Sequence, residues 1–230
     1  MEPTSNCSSA SGGARFAGAA TIMQAVESQK VILYQTDLRG QWPEGAAKRF
    51  AARLPYPRRL ALRPSQDIGR RASLAGVALA VRALGELLQR KVAPGEIRFA
   101  RGEKPRLVPP AVSATEVAAA DFSISHSGPW VACAALAGGS VGLDVEMGTD
   151  ERIADWVVRE ATLKAGGEGL RGVRALRELA VAEGCIRWRG ASWQLQRLEG
   201  FAGAAACIVC DAALAPIERR HIVLHALFDS

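Results

Sequence analysis

Hydrophobic residues recur along this chain at spacings that predict a small number of helices. Over about 67–89 they fall on one face of a long helix, and Asp67 can cap its first turn. The residues of this apolar stripe are Leu74, Val77, Val81, Leu84 and Leu88. Shorter helices are predicted over 43–54, where Pro43 takes a favoured first position, and over 154–165.

Short apolar runs bounded by turn residues predict the strands. They are 31–38, 96–99, 122–125, 130–137, 141–146, the two arms of a hairpin within 185–198, 201–210 and 221–227. Gly138-Gly139 predicts that 130–137 and 141–146 pair as a hairpin. Residues 171–183 look helical by composition, and 55–64 is interpreted as a proline-bounded connector. Because helices and strands do not alternate regularly, the pattern favours an α+β fold over a doubly wound one.

Two carboxylates stand at alternate positions of a predicted strand. Asp144 and Glu146 should therefore point to the same face. Adjacent carboxylates repel each other unless a cation lies between them, and Mg²⁺ takes one or two carboxylates and fills its other positions with water and phosphate oxygens. The pair is thus a candidate metal site, although a solvated strand end has the same pattern.

Glu160 and Lys164 lie one helical turn apart in the predicted helix 154–165, so they share a face. Taken by itself, this spacing indicates no more than a surface ion pair. Beside the strand that carries Asp144 and Glu146, Glu160 becomes a candidate metal ligand or general base, and Lys164 a candidate for binding phosphate.

A hydroxyl ends the predicted strand 122–125, and an imidazole follows it directly. Ser125 and His126 precede a turn that Gly128-Pro129 enforces, and both side chains are good phosphate donors. A structural role for His126 remains open, because a lone histidine is more often structural than functional.

These three groups, taken in order, resemble the signature of the phosphopantetheinyl transferases of the larger, surfactin-synthetase-activating type. That signature runs F-N-x-S-H-S, G-x-D-x-E and W-x-x-K/R-E-A-x-x-K. Here it reads FSISHS (122–127), GLDVE (142–146) and WVVREATLK (156–164). Residues 97–107 and 67–79 are similar to further segments of the family, so the likeness spans about residues 50 to 210.

The resemblance implies an enzyme that moves the 4′-phosphopantetheine arm of coenzyme A onto a serine of an acyl, aryl or peptidyl carrier protein and releases 3′,5′-ADP. It implies Mg²⁺ held by Asp144, Glu146 and Glu160. Asp144, Glu160 and Lys164 would be the catalytic residues: Glu160 would accept the proton of the carrier serine, and Lys164 would stabilise the departing phosphate. The implied contacts to coenzyme A are Ser125 and His126 on its 3′-phosphate side, Lys104 with Pro105 at a phosphate, Lys164, and Arg70 or Arg71 at the adenylate end.

The family fold consists of two similar α/β subdomains related by pseudo-twofold symmetry, with coenzyme A in the cleft between them. On this basis residues 29–138 form the N-terminal half and 139–230 the C-terminal half, and a monomer is expected. Three departures stand out. Ser123 replaces the usual Asn, Glu103 precedes Lys-Pro where Gly is expected, and the stretch between Glu146 and Glu160 is shorter than in relatives, where it helps receive the carrier protein. The alternative is a non-catalytic relative that binds coenzyme A or a carrier protein.

Composition narrows the choice of partners. The net charge of +6 favours anionic partners, which include nucleic acid, coenzyme A and acidic carrier proteins. Aromatic residues make up only 6% of the chain and no basic run is interleaved with them, so nucleic acid is not expected. The high content of Ser, Gly and Ala in residues 1–28 predicts a disordered tail. The sequence shows neither a secretory signal nor a membrane span, so we expect a cytoplasmic protein without a membrane partner.

The cysteines also bear on function. Five of them form an odd and sparse set, which argues against a disulfide framework. Cys207 and Cys210, followed by His221 and His225, imitate a zinc-binding spacing. In a buried strand, however, the two cysteines would point to opposite faces, so a structural role is favoured over zinc.

Overall fold

The computed structural model describes residues 30–62, 67–100, 102–108, 120–182, 184–211 and 216–229, and the predicted tail over 1–28 lies outside them. The helices are α1 Glu44–Ala52, α2 Tyr56–Ala61, α3 Ile68–Leu87 and α4 Glu151–Ala165. The strands are β1 Val31–Asp37, β2 Ile97–Arg98, β3 Arg106–Leu107, β4 Ala120–Ser127, β5 Trp130–Ala137, β6 Val141–Met147, β7 Ala180–Ala182, β8 Cys185–Trp188, β9 Ala191–Arg197, β10 Ala204–Cys210 and β11 Ile217–His221. Short 3-10 segments lie at Pro94–Glu96, Gly169–Glu178 and Leu224–Ala226. This mixture agrees with the predicted α+β class.

Two sheets form the body of the protein. The first has the strand order β11-β1-β5-β4 and the second β6-β10-β9-β8-β7, while β2 and β3 pair separately. In the first sheet β1 is parallel to β11 and antiparallel to β5, and all neighbours in the second sheet are antiparallel. The same order of elements occurs once with each sheet: a strand, then a long helix, then two antiparallel strands. In the first sheet these elements are β1, α3, β4 and β5, and in the second they are β6, α4, β9 and β10. In both, the last of these strands lies between the other two.

The two sheets face each other, and each carries one long helix on its outer face. Helix α3 packs on alternate residues of β1 and β5, such as Ile32 and Cys133. The intervening residues of these strands, such as Leu33, pack against β6 and β10 in a core between the sheets. Helix α4 packs on the other side of β10, against residues such as Val209. The layers therefore run helix, sheet, sheet, helix.

Helix α4 lies unusually close to β6. A Cβ atom at Gly142 would fall 1.8 Å from the carbonyl oxygen of Ala161 and 2.5 Å from the nitrogen of Ala165, so only glycine allows this approach. The N-cap of the helix is Asp150, whose side chain accepts hydrogen bonds from the backbone N–H groups of Arg152 (3.0 Å) and Ile153 (3.1 Å). The cap and the glycine together fix α4 against the strand that carries Asp144 and Glu146.

The predicted hairpin of 130–137 with 141–146 is wrong. Strand β5 instead forms a hairpin with β4 through Gly128-Pro129, and β6 pairs with β10 in the other sheet. Gly138, with a φ of 69°, lies where the chain leaves the first sheet, and three residues later the chain enters the second. A glycine pair that looks like a hairpin turn therefore marks a crossing between sheets.

Three smaller predictions also differ from the structure. The connector over 55–64 contains α2, because Pro55 is its N-cap and the next proline falls in its first turn, where no backbone N–H is needed. The strand predicted over 221–227 ends at His221, where its pairing with β1 stops, and a 3-10 segment follows. Residues 171–183 contain a 3-10 segment and β7 rather than an α-helix. The other predicted helices are confirmed.

The C-terminal end of the chain returns to the first sheet. Strand β11 pairs with β1, and Leu224, Leu227 and Phe228 pack in the core beneath α3. The crossing between the sheets nevertheless falls near residue 140, where the two predicted halves meet. Across the described residues, no helix has the length and apolar character that crossing a membrane requires.

Candidate active site

The two sheets meet along a seam between β4, the last strand of the first sheet, and β6, the first strand of the second. Side chains at alternate positions of β4 accept hydrogen bonds from backbone N–H groups at alternate positions of β6. The four bonds join Asp121 to Val141 (2.8 Å), Ser123 to Leu143 (3.0 Å), Ser125 to Val145 (3.2 Å) and Ser127 to Met147 (3.1 Å). We call these four bonds the polar ladder. It gives the outer N–H groups of β6 the partners that a neighbouring strand would otherwise provide.

Both predicted carboxylates lie next to this ladder. Ser125 donates its hydroxyl hydrogen to Oδ1 of Asp144 at 2.8 Å, and Ser127 donates to Oε1 of Glu146 at 3.0 Å. Asp144 is buried, with only 2% of its surface exposed, while Glu146 is half-buried. The two side chains share one face of β6, as their alternate spacing predicts.

Helix α4 supplies the remaining groups. The ammonium of Lys164 donates to Oδ1 of Asp144 at 2.6 Å and to Oγ of Ser125 at 3.2 Å, and it lies 3.1 Å from Oε1 of Glu160. Residues from three separate sequence motifs thus meet at one point. We call Ser125, Asp144, Glu160 and Lys164 the site cluster.

Burial and charge act against each other inside the cluster. Burial raises the pKa of Asp144 to about 6, although the nearby Lys164 acts in the opposite direction. Burial disfavours the charge of Lys164, but the carboxylates of Asp144 and Glu160 outweigh it and raise the pKa of the ammonium. Oδ2 of Asp144 is buried and has no hydrogen-bond partner among the described residues. The cluster therefore holds a firmly protonated lysine beside a carboxylate with one free oxygen.

This free oxygen bears on whether Mg²⁺ fits here. Within the described parts of the chain, no group of three or more His, Cys, Asp or Glu side chains is arranged to hold a metal ion. The Lys164 ammonium bridges Asp144 and Glu160 instead. Asp144 and Glu146 still offer the oxygen-only donors that Mg²⁺ prefers, and one or two carboxylates suffice when substrate phosphates and water complete its shell. The residues fit such an ion.

His126 follows Ser125 on β4 and is exposed at the edge of the seam. Desolvation of the imidazole by the protein around it lowers its pKa. The positive charges of Lys164 and Arg58 act in the same direction. A cavity of about 260 Å³ adjoins His126 and is also lined by Arg39 and by Gly69 in the first turn of α3. The histidine therefore faces open space near positive charge.

Arg58 is a candidate site residue that its sequence context does not distinguish from a surface arginine. It lies on α2, its guanidinium carbon stacks 4.3 Å from the centre of the Phe99 ring, and its Nε is buried without a partner among the described residues. Burial lowers the pKa of its guanidinium. A half-buried arginine with a buried, unpaired Nε–H is suited to an anionic ligand. The only signal in the sequence is its place in a basic, proline-bounded segment.

Lys104 lies inside the protein at one end of the ladder. Its ammonium pairs with the Asp121 carboxylate and donates to the carbonyl oxygen of Val141 at 2.7 Å, and burial lowers its pKa. Lys104 and Pro105 nevertheless line a cavity of about 200 Å³ with Lys164. The structure thus brings the predicted Lys-Pro pair to the site cluster, with the Lys104 ammonium already engaged by protein groups.

The two predicted arginines of α3 lie in its first turn. Arg70 approaches Asp67, with Nε 4.0 Å from Oδ2, and Arg71 lies 5.3 Å from the centre of the Trp42 ring. The described lining of the cavities beside His126 and Lys164 includes neither arginine. The structure therefore does not place Arg70 or Arg71 in the site cluster.

The cysteine pair lies apart from this site. Cys207 packs under α4 and Cys210 packs between the sheets, so the prediction that they point to opposite faces is confirmed. Both thiols are buried, and burial raises the pKa of Cys207.

Two contacts of the site cluster join residues far apart in the sequence: Lys164 meets Ser125 across 39 positions and Asp144 across 20. No family model matches the chain, and no curated protein matches it. A function therefore has to be inferred from the residues of the chain itself.

Proposed function

We propose that the chain is a Mg²⁺-dependent, cytoplasmic 4′-phosphopantetheinyl transferase that moves the arm of coenzyme A onto a serine of an acyl, aryl or peptidyl carrier protein. The observation that carries this proposal is the convergence of three motifs on one cluster. Ser125 comes from the first motif, Asp144 from the second, and Glu160 and Lys164 from the third. Unrelated surface residues would have no reason to meet at a buried seam.

The residue types suit transfer at phosphorus. In this reaction the carrier serine oxygen forms a bond to the phosphorus that bears the pantetheine arm, and the bond from that phosphorus to the leaving 3′,5′-ADP breaks. Such a transfer needs positioning and stabilisation of negative charge more than covalent catalysis. Glu160 is the base that accepts the serine proton, and Lys164, kept protonated by its carboxylate neighbours, donates to the leaving phosphate.

Mg²⁺ bound by Asp144 and Glu146, with Glu160 as a third ligand, would neutralise charge on the pyrophosphate. The free Oδ2 of Asp144 supports this assignment. Coenzyme A would approach along the cavities beside His126 and Lys164. Arg58, whose charge acts on His126, would add a buried Nε–H donor for its phosphates.

The order of elements supports the finer fold of this family. The succession of a strand, a long helix and two antiparallel strands occurs once in each sheet, and in both the third strand lies in the middle. Two α/β subdomains related by a pseudo-twofold axis at the seam would have this order. The return of β11 to the first sheet is an addition to it.

The short connection between the second and third motifs is compatible with this site. Only residues 148–150 separate β6 from α4, and Gly148, with a φ of 117°, allows the sharp turn. This tether still brings Glu160 and Lys164 to Asp144. The alternative, a non-catalytic protein that binds coenzyme A or a carrier protein, is favoured by a different observation, namely that the Lys164 ammonium bridges Asp144 and Glu160.

Intact-mass analysis tests the proposal directly. A panel of apo carrier proteins is incubated with the protein, coenzyme A and Mg²⁺, and we expect at least one to gain one phosphopantetheine mass. Glu160→Gln should slow this gain by about 100-fold or more, because it removes the base. Glu151→Gln, in the exposed first turn of the same helix, is the matched control and should react like wild type. No gain on any carrier, while coenzyme A still binds, would favour the non-catalytic alternative.

A further inference from the structure

The three serines of the polar ladder do not have the same set of partners. Each accepts a hydrogen bond from one backbone N–H of β6. Ser125 and Ser127 each also donate to a carboxylate, Asp144 and Glu146 respectively. Among the described residues, Ser123 donates to the carbonyl oxygen of Leu143, at 3.5 Å, and to no carboxylate. Two of the three serines therefore hold a carboxylate of the site, and Ser123 holds none.

The hydroxyl of Ser125 has no bonding capacity left. A serine hydroxyl offers one donor hydrogen and two acceptor lone pairs. Its lone pairs accept from the Val145 N–H and from the Lys164 ammonium, both at 3.2 Å, and its hydrogen goes to Asp144 at 2.8 Å. A phosphate oxygen can only accept, so Ser125 would have to release Asp144 in order to bind one. This bonding conflicts with the coenzyme A contact that the resemblance implies for Ser125.

We infer that Ser125 and Ser127 are positioning residues, which hold the carboxylates of Asp144 and Glu146 in place and so tie the geometry of the site to the joint between the sheets. As far as it concerns Mg²⁺ and transfer, this inference rests on the proposed function. The hydrogen bonds of the two serines to the carboxylates do not depend on that function. The three serines lie two residues apart on one strand, so Ser123 is a matched control that forms a rung but orients no carboxylate.

Amide hydrogen exchange tests the rungs one at a time. Ser123→Ala, Ser125→Ala and Ser127→Ala should speed exchange of the Leu143, Val145 and Met147 amides respectively, each by about fivefold, as expected for the loss of one neutral hydrogen bond. The amide of Ile208, in the middle of the second sheet, serves as the internal reference. If each substitution speeds all of these amides equally, the separate rungs do not exist and the inference is overturned.

Carboxyl carbon signals, recorded by ¹³C NMR at one fixed pH without metal, test the positioning. Ser125→Ala should move the signal of Asp144, Ser127→Ala should move that of Glu146, and Ser123→Ala should leave both in place. Ser127→Thr, which keeps the hydroxyl, should restore the wild-type signal of Glu146. If Ser125→Ala fails to fold, Ser127, at the half-buried end of the ladder, still decides the question. Signals that stay in place in both alanine variants overturn the inference.

Binding experiments separate positioning from direct contact with the ligand. Loss of a residue that orients a metal ligand weakens metal binding by about 10-fold or more, so Ser125→Ala and Ser127→Ala should lose Mg²⁺ affinity by this factor in calorimetry and Ser123→Ala should not. Affinity for coenzyme A, measured in EDTA, should stay within about twofold of wild type for Ser125→Ala, well below the loss of a charge-assisted bond. Loss of coenzyme A affinity in EDTA would identify Ser125 as a direct contact and overturn the inference. Wild-type protein that binds no Mg²⁺ and modifies no carrier would contradict the proposed function, while the carboxyl signals still decide the positioning.

Discussion

Replacing Gly142 by alanine should destabilise the protein strongly, because no space exists for the added methyl group. The new Cβ would fall 1.8 Å from the carbonyl oxygen of Ala161 and 2.5 Å from the nitrogen of Ala165, both backbone atoms of α4. Ordinary contact begins near 3.5 Å, so the helix would have to withdraw by roughly 1.7 Å. Side-chain rotation cannot relieve a clash with backbone. We therefore expect a loss at the upper end of the range for overpacking, about 3 kcal/mol in the free energy of unfolding.

Urea denaturation of wild type and Gly142→Ala measures this loss, with Gly95→Ala as the matched control. A Cβ at Gly95 meets no atom within 4 Å, so its substitution should change the free energy of unfolding by less than about 0.5 kcal/mol. Withdrawal of α4 would also carry Glu160 and Lys164 away from Asp144, so any transferase activity should fall with stability. A Gly142→Ala protein as stable as the Gly95→Ala protein would refute the close approach of helix and strand.

Two further predictions concern the charges of the site cluster. Because burial raises the pKa of Asp144 from 3.8 to about 6, its contribution to stability is full below pH 4 and is lost as the pH rises through 6. In EDTA, the unfolding free energy of wild type relative to Asp144→Asn should therefore fall by about 2 kcal/mol between pH 4 and pH 7, and a difference that is independent of pH contradicts this. Lys164→Met leaves the buried Asp144 carboxylate without its cation, which was 2.6 Å away, and should cost about 3 kcal/mol at pH 8. Lys48→Met, which breaks an exposed helix pair, should cost less than about 0.5 kcal/mol, and equal losses in the two variants would count against a buried pair.

Features that depend on neighbours in the sequence could be predicted. Asp67 caps α3 through the N–H of Gly69 at 2.8 Å, and the alternation of Asp144 and Glu146 places both on one face of β6. The rules behind these predictions involve only a few consecutive residues. The same rules misread Gly138-Gly139, because the strand that follows pairs with β10, more than 50 residues later. No local pattern specifies that partner.

Parts of the site are invisible in the sequence for the same reason. Asp121 and Ser127 look like ordinary polar residues of a strand with one solvated face, and their role appears only when β6 lies beside them. Lys104 looks like any exposed lysine, yet its ammonium lies inside the protein between Asp121 and a backbone carbonyl. Burial of a charged side chain depends on which elements pack around it. The motifs could therefore be located from the sequence, but not the bonding that arranges them.

The spacing of the first two motifs reflects one shared register. Each rung of the polar ladder joins residues that are 20 positions apart, so the odd-numbered residues of β4 face the odd-numbered residues of β6. The even-numbered residues of β6, namely Gly142, Asp144 and Glu146, then face α4. Sliding one strand past the other by a single residue would turn every β4 side chain to the other face. It would break the ladder and would also remove the serines from the two carboxylates. The register that joins the sheets is therefore the same register that assembles the site, and a variant that weakens one should weaken the other.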